Sequence, residues 1–181
     1  MATYISILRG INVSGKNIIK METLRNMYES LGFKNCVTYI QSGNVVFESK
    51  KTTPEKLVSA ISSAIEKEFG FEVPVLVLTV ETLQEIINQN PFVKDKKKDV
   101  KFFHVTFLAE LSGVKEYDSI LDKGQAGEEI AITSKAVYLY CPKGYGNTKW
   151  TNTFLESKLK VKATTRNWKT TLELLKMAGE E

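Results

Sequence analysis

The sequence predicts an α+β fold built from two ferredoxin-like βαββαβ units in tandem, with antiparallel sheets and an extra C-terminal helix. Three observations carry this. Short apolar runs alternate with longer segments of helical spacing, the second and third runs of each half are separated only by a tight turn, and the whole order occurs twice. The halves share little residue identity, so the repeat is one of topology.

In the first half, "TYISIL" (Thr3–Leu8) reads as a strand. "KMETLRNMYESLGF" follows with Met21, Leu24, Met27, Tyr28 and Leu31 at helical spacing and Gly32 as its stop. "CVTYI" and "VVFES" are strands joined by the turn "QSGN". "TTPEKLVSAISSAIEKEF" is a helix capped by Thr53, with Pro54 at the first position, where its missing N–H costs nothing. "VPVLVLTV" is the fourth strand, and "VETLQEIINQN" a connecting helix.

"PFVKDKKKDV" reads as a solvated linker into the second half. There, strand "KFFHVTFL" precedes a helix "SGVKEYDSILDK" capped by Ser112, and "EEIAIT" with "AVYLYC" forms a hairpin around Ser134-Lys135. "TKWTNTFLESKL" reads as helical throughout, "VKATT" as a short strand and "NWKTTLELLKMA" as the final helix. The expected division is residues 1–92 and 93–181. Strands such as Ile5/Ile7 against Tyr4/Leu8 are apolar on both sides, so something must cover the second face of the sheet.

Composition narrows the function. The 181 residues are 43% hydrophobic and 25% charged, which suits a folded globular protein. A net charge of +4 permits an anionic ligand without demanding one. The two cysteines, Cys36 and Cys141, are too few for a disulfide framework or a cysteine-rich zinc site, and they suit a reducing compartment. The opening "MATYISILRG" lacks the pattern of a signal peptide, and no apolar stretch approaches a membrane span, so a soluble cytoplasmic protein is expected.

Two polar clusters are candidate sites. Strand-to-helix loops usually run to about two to six residues, yet the first strand exits through the longer "RGINVSGKN". In a βαββαβ unit the first two strands run parallel and the third lies between them. The exit loop and the hairpin "QSGN" therefore share one end of the sheet. Arg9, Gly10, Asn12 and Lys16 should meet Ser42, Gly43 and Asn44 there. Glycine loops bring backbone N–H groups close to an anion, and an arginine grips phosphate or carboxylate with two prongs. The alternative is turn geometry alone, with Arg9 in a structural ion pair.

In the second half, Lys149, Asn152, Thr165, Arg166 and Asn167 should surround the N-terminus of the last helix, with Asn167 capping it and Trp168 packed in the core. The alternative reading is two well-capped helices. His104, the only histidine, has no evident catalytic partner and cannot build a multi-histidine metal site, so no metal or cofactor is expected. "GYG" and "SGK" lack the spacing of a phosphate-loop NTPase. The aromatic strand "AVYLYC" lacks the basic-Gly-aromatic octapeptide of RNA-recognition modules.

The strings "LRGINVSGKNIIKMETLRNMYESLGF", "VTYIQSGNVVF" and "ATTRNWKTTLELLKMA" resemble the bacterial domain-of-unknown-function family 1697. The resemblance spans nearly the whole chain and implies two ferredoxin-like subdomains. Its recurring polar positions fall on Arg9, Gly10, Asn12, Ser42, Gly43, Asn44, Lys149, Asn152, Thr165, Arg166, Asn167 and Trp168. It implies no activity. The leading expectation is binding of a small anionic ligand at the loops. One alternative is an acylphosphatase-like hydrolase, an analogy at the level of fold, in which Arg9 would hold the phosphoryl group and Asn44 orient water. Nucleic-acid binding and a protein-interaction scaffold are the others.

Overall fold

The computed structural model describes residues 1–179. The chain forms two compact units, one of Met1–Gln84 with residues 174–179, the other of Glu85–Glu173.

The first unit holds β1 (Ala2–Leu8), α1 (Met21–Ser30), β2 (Lys34–Tyr39), β3 (Asn44–Ser49), α2 (Pro54–Phe69) and β4 (Val75–Thr79), which leads into α3 (Val80–Asn88). Its antiparallel sheet has the order β2-β3-β1-β4, the ferredoxin-like arrangement. On one face Tyr4, Leu8, Val45, Phe47 and Val77 pack with Leu24, Met27 and Tyr28 of α1 and Leu57, Ile61 and Ile65 of α2. Each such side chain contributes about 1.5–3 kcal/mol by leaving water. Helix α2 starts as expected, the Thr53 hydroxyl accepting the Lys56 N–H with Pro54 in the first turn. Ile5, Ile7, Val46, Leu76 and Leu78, which alternate with the core residues, are buried as well.

The second unit repeats the pattern: β5 (Phe103–Leu108), α4 (Asp118–Leu121), β6 (Glu129–Ile132), β7 (Ala136–Tyr140), α5 (Asn152–Leu159) and β8 (Ala163–Asn167), which leads into α6 (Trp168–Met177). The sheet order is β6-β7-β5-β8, matching the first unit strand for strand. Leu108, Val137, Leu139 and Ala163 form its helix-side core with Ile120, Trp150, Leu155 and Leu159. Part of its other face is covered from within the unit. The Tyr138 hydroxyl donates to the Ile86 carbonyl at 2.6 Å, and Phe103 meets the rings of Phe92 and Trp168.

The last strand of each sheet runs into a helix in the same way. Thr79, last in β4, accepts the Thr82 N–H, and Asn167, last in β8, accepts the Thr170 N–H. The "connecting" and "extra" helices are therefore equivalent elements, and the repeat is βαββαβα.

Four local expectations are corrected. Residues 112–123 do not form one helix capped by Ser112; only Asp118–Leu121 is α-helical. The Ser112 hydroxyl is buried and donates to the Leu159 carbonyl, which anchors an irregular segment instead. The helix expected over Thr148–Leu159 begins only at Asn152, because Thr151 caps it and Trp150 is buried, its indole N–H bonded to the Ile120 carbonyl. "PFVKDKKKDV" is not a free linker. Pro91–Lys94 and Val100–Phe102 are 3₁₀ turns, Phe92 is buried, and Lys98 pairs with Asp95 and Glu129 while lying over the Tyr140 ring. The short strand read as "VKATT" also runs on to Asn167.

Candidate functional site

The loop after β1 is a miniature hairpin. Lys16 N–H bonds to the Val13 carbonyl at 2.9 Å, and Asn12 N–H to the Asn17 carbonyl at 3.1 Å. Between them Ser14 and Gly15 both have positive φ, 51° and 72°. That is the type I′ geometry of two-residue hairpins, where glycine is the least costly second residue.

Asparagine side chains then tie the hairpin down. Asn12 donates to the carbonyls of Ile19 and Gln41 at 3.0 and 2.8 Å, and its oxygen accepts the Ile19 N–H at 2.8 Å. Asn17 donates to the Gly10 carbonyl at 3.1 Å. Because Gln41 belongs to the turn between β2 and β3, Asn12 joins the two loops that topology brings to one end of the sheet.

The turn itself is locked from inside. Asn44, fully buried, faces Ile7 in register and gives both amide hydrogens away, to the Tyr39 carbonyl and the Ser42 hydroxyl. The Gly43 carbonyl accepts the Leu8 N–H at 2.8 Å. A Cβ on Gly43 would stand 2.7 Å from the Leu8 Cβ, so this glycine is required by close approach as well as by its φ of +92°.

The two loops of the first cluster are thus joined, with their members in different roles. Asn12, Ser42, Gly43 and Asn44 build the platform. Arg9 is half-buried, while Gly10 and Lys16 are exposed. Among the described residues, the backbone N–H groups of Gly10, Ser14 and Gly15 have no acceptor.

The second cluster is divided by its sheet. Thr165 on β8 lies opposite Thr106 on β5, and their hydroxyls meet at 2.7 Å. Thr165 donates to the Asn152 side-chain oxygen at 2.7 Å, so its single proton is used and Thr106 must donate to it. His104 faces Asn167 in the same register and stacks on Tyr145, ring centroids 4.8 Å apart. Burial lowers the imidazole pKa, partly opposed by the nearby Phe102 backbone, and the buried Nδ1 meets no hydrogen-bond partner among the described residues. Arg166 lies between Thr165 and Asn167, so strand alternation sends it to the other face. There, burial lowers its pKa to about 10, still a full cation at neutral pH, and it donates to the Thr165 carbonyl. Lys149 is exposed in the preceding loop. Asn152, Thr165 and Asn167 therefore share one face with His104, and Arg166 does not join them.

Sequence reasoning missed a cleft of about 330 Å³ in the second unit, lined by Phe92, Trp150, Gln125, Glu128 and Glu129 among others. The adjacent pair Glu128-Glu129 was the available signal. Glu128 accepts the Gln125 N–H and Glu129 pairs with Lys98, so the acids brace their own surroundings and disfavour an anion. Burial, with Glu128 nearby, pushes the Cys141 thiol up to about 12, which leaves it unreactive. Among the described residues no group of His, Cys, Asp and Glu is placed to hold a metal ion, and no helix is long and apolar enough to cross a membrane.

These features define a two-unit α+β protein with repeated four-stranded antiparallel sheets and a braced polar loop cluster at one end of the first. The chain belongs to the family described as "Protein of unknown function (DUF1697)", whose profile matches residues 1–138. In fold it is similar to a solved structure, conserved bacterial protein SP0830 from Streptococcus pneumoniae, with 23% identity, a TM-score of 0.74 and 98% of each chain covered. Comparison with curated proteins gives no match.

Proposed function

We propose that the protein binds a small anionic, phosphate- or carboxylate-bearing ligand at the loop cluster formed by Arg9, Gly10 and Lys16 on the platform of Asn12, Ser42, Gly43 and Asn44. The reading is supported chiefly by a comparison between the two units. The second makes the same connections at this point, Leu108 N–H to the Lys135 carbonyl and Ala109 N–H to the Lys162 carbonyl, as the first does from Leu8 to Gly43 and Arg9 to Pro74. Yet it continues with Ala109-Glu110 where the first has Arg9-Gly10. The sheet therefore does not require the arginine or the glycine hairpin.

Charge agrees. From Met1 to Met21 the chain carries Arg9, Lys16 and Lys20 and no acidic residue. A loop fixed by its own side chains holds its remaining donors in place before an anion arrives, which lowers the ordering cost of binding. The hydrolase variant is less well supported, since both Asn44 amide hydrogens are already bonded within the turn and none is left to orient water.

The test is melting temperature with inorganic pyrophosphate. At 100 times its dissociation constant, a ligand raises stability by about 2.7 kcal/mol. Arg9→Ala should remain folded and lose that increment. An unfolded Arg9→Ala protein, or one that is stabilised as fully as the wild type, would place Arg9 in a structural role.

A further inference from the structure

The same end of the first unit displays apolar side chains that the fold does not use. Val13 in the miniature hairpin and Ile18 just after it are each 58% exposed, and Ile40 in the neighbouring turn is 49% exposed. Ile40 also has φ +51°, a left-handed backbone that β-branched residues seldom adopt. Asparagine or glycine would sit there with less strain. A residue that is strained and half-exposed is poorly explained by stability, and strained positions cluster where a side chain serves binding. The Asn12 bond to the Gln41 carbonyl holds the two loops together, so Ile40 and Val13 each adjoin a residue of the link.

We infer that the ligand is a nucleoside diphosphate or a close relative, an anion carrying a flat apolar ring system. This rests on the reading proposed above and names its ligand class. The phosphates would lie with Lys16, Arg9 and the unclaimed N–H groups of Gly10, Ser14 and Gly15, and the base against Val13, Ile18 and Ile40. Charge complementarity supports it: from Met1 to Met21 the chain carries Arg9, Lys16 and Lys20 and no acidic side chain, and the turn from Tyr39 to Asn44 carries no charge. The size of the apolar surface points the same way. Three partly exposed aliphatic side chains suit one ring system and are little for a protein interface, which needs about 800 Å² per partner.

Calorimetric titration of the whole protein with ADP, pyrophosphate and adenosine tests this, alongside sedimentation with vesicles containing anionic phosphatidylserine. ADP is expected to bind at least about tenfold more tightly than pyrophosphate, the selectivity a modest apolar contact supplies. The triple variant Val13→Ser, Ile18→Ser, Ile40→Asn should bring that ratio near one while keeping pyrophosphate affinity; Ile40→Asn alone, which eases the backbone, should lower it if the triple variant folds poorly. Equal wild-type affinities for ADP and pyrophosphate would overturn the inference and leave anion binding standing. Absence of binding by either at millimolar concentration would overturn both. Vesicle binding lost in the triple variant, with no preference for ADP, would assign the patch to a lipid surface and also overturn it.

Discussion

Replacing Asn12 by alanine tests whether the loop cluster is braced by one amide. Three hydrogen bonds disappear, two to Ile19 and one to Gln41. Ile19 is 1% exposed, so water does not easily replace the two bonds made there, whereas the bond to Gln41 is exposed. At about 1 kcal/mol each the three amount to about 3 kcal/mol. Asn12 also has φ +55°, which asparagine tolerates and alanine resists by about 1–2 kcal/mol. Asn12→Ala should therefore cost about 4–5 kcal/mol, and Asn12→Gly, free of the backbone strain, about 3 kcal/mol. Both tryptophans, Trp150 and Trp168, lie in the second unit. Urea unfolding should accordingly be followed by far-UV circular dichroism, with exchange of the Ile19 amide as the local readout. If both variants lose less than about 0.5 kcal/mol and the Ile19 amide stays protected, the loop is held by something else and the preorganisation argument fails.

Gly43→Ala should destabilise by about 2–4 kcal/mol in urea melts, since the new Cβ falls 2.7 Å from the Leu8 Cβ and 2.8 Å from the Ile11 Cδ1 on a left-handed backbone. Asn167→Ala should cost about 0.5–2 kcal/mol through the lost bond to Thr170 N–H, and no loss would mean that α6 is not capped there. His104, the only histidine, should titrate below the usual 6.5 in an NMR pH series, because burial disfavours its cation. Between that lowered value and 6.5 the unfolded chain binds the extra proton, so stability should fall as pH drops through this window, and His104→Phe should flatten the fall. A midpoint at or above 6.5 would contradict the buried geometry.

The fold was legible because its signals are local. Short apolar runs, the Thr53-Pro54 start of α2 and the Ser-Gly turn between β2 and β3 each act within a few residues, and βαββαβ order then leaves few ways to arrange the strands. The same logic placed Arg9 and Asn44 at one end of a sheet. Where local signals misled, a distant partner was responsible. Ser112 looked like a helix cap, but its hydroxyl is taken by the Leu159 carbonyl, 47 residues away. Lys98 looked solvated, but Glu129 and Tyr140 hold it against the second sheet.

What the sequence determined by itself is the inventory at the candidate site: an arginine, glycines, asparagines and a lysine in two loops of a known topology. What only the tertiary structure decided is how those groups are used. Asn12 reaches Ile19 and Gln41, Asn44 turns into its own hairpin, and the β8 pleat sends Arg166 away from Thr165 and Asn167. An amide has several hydrogen-bonding groups and no preference among carbonyls. Which one it meets, and which donors remain for a ligand, depends on backbone brought close by folding.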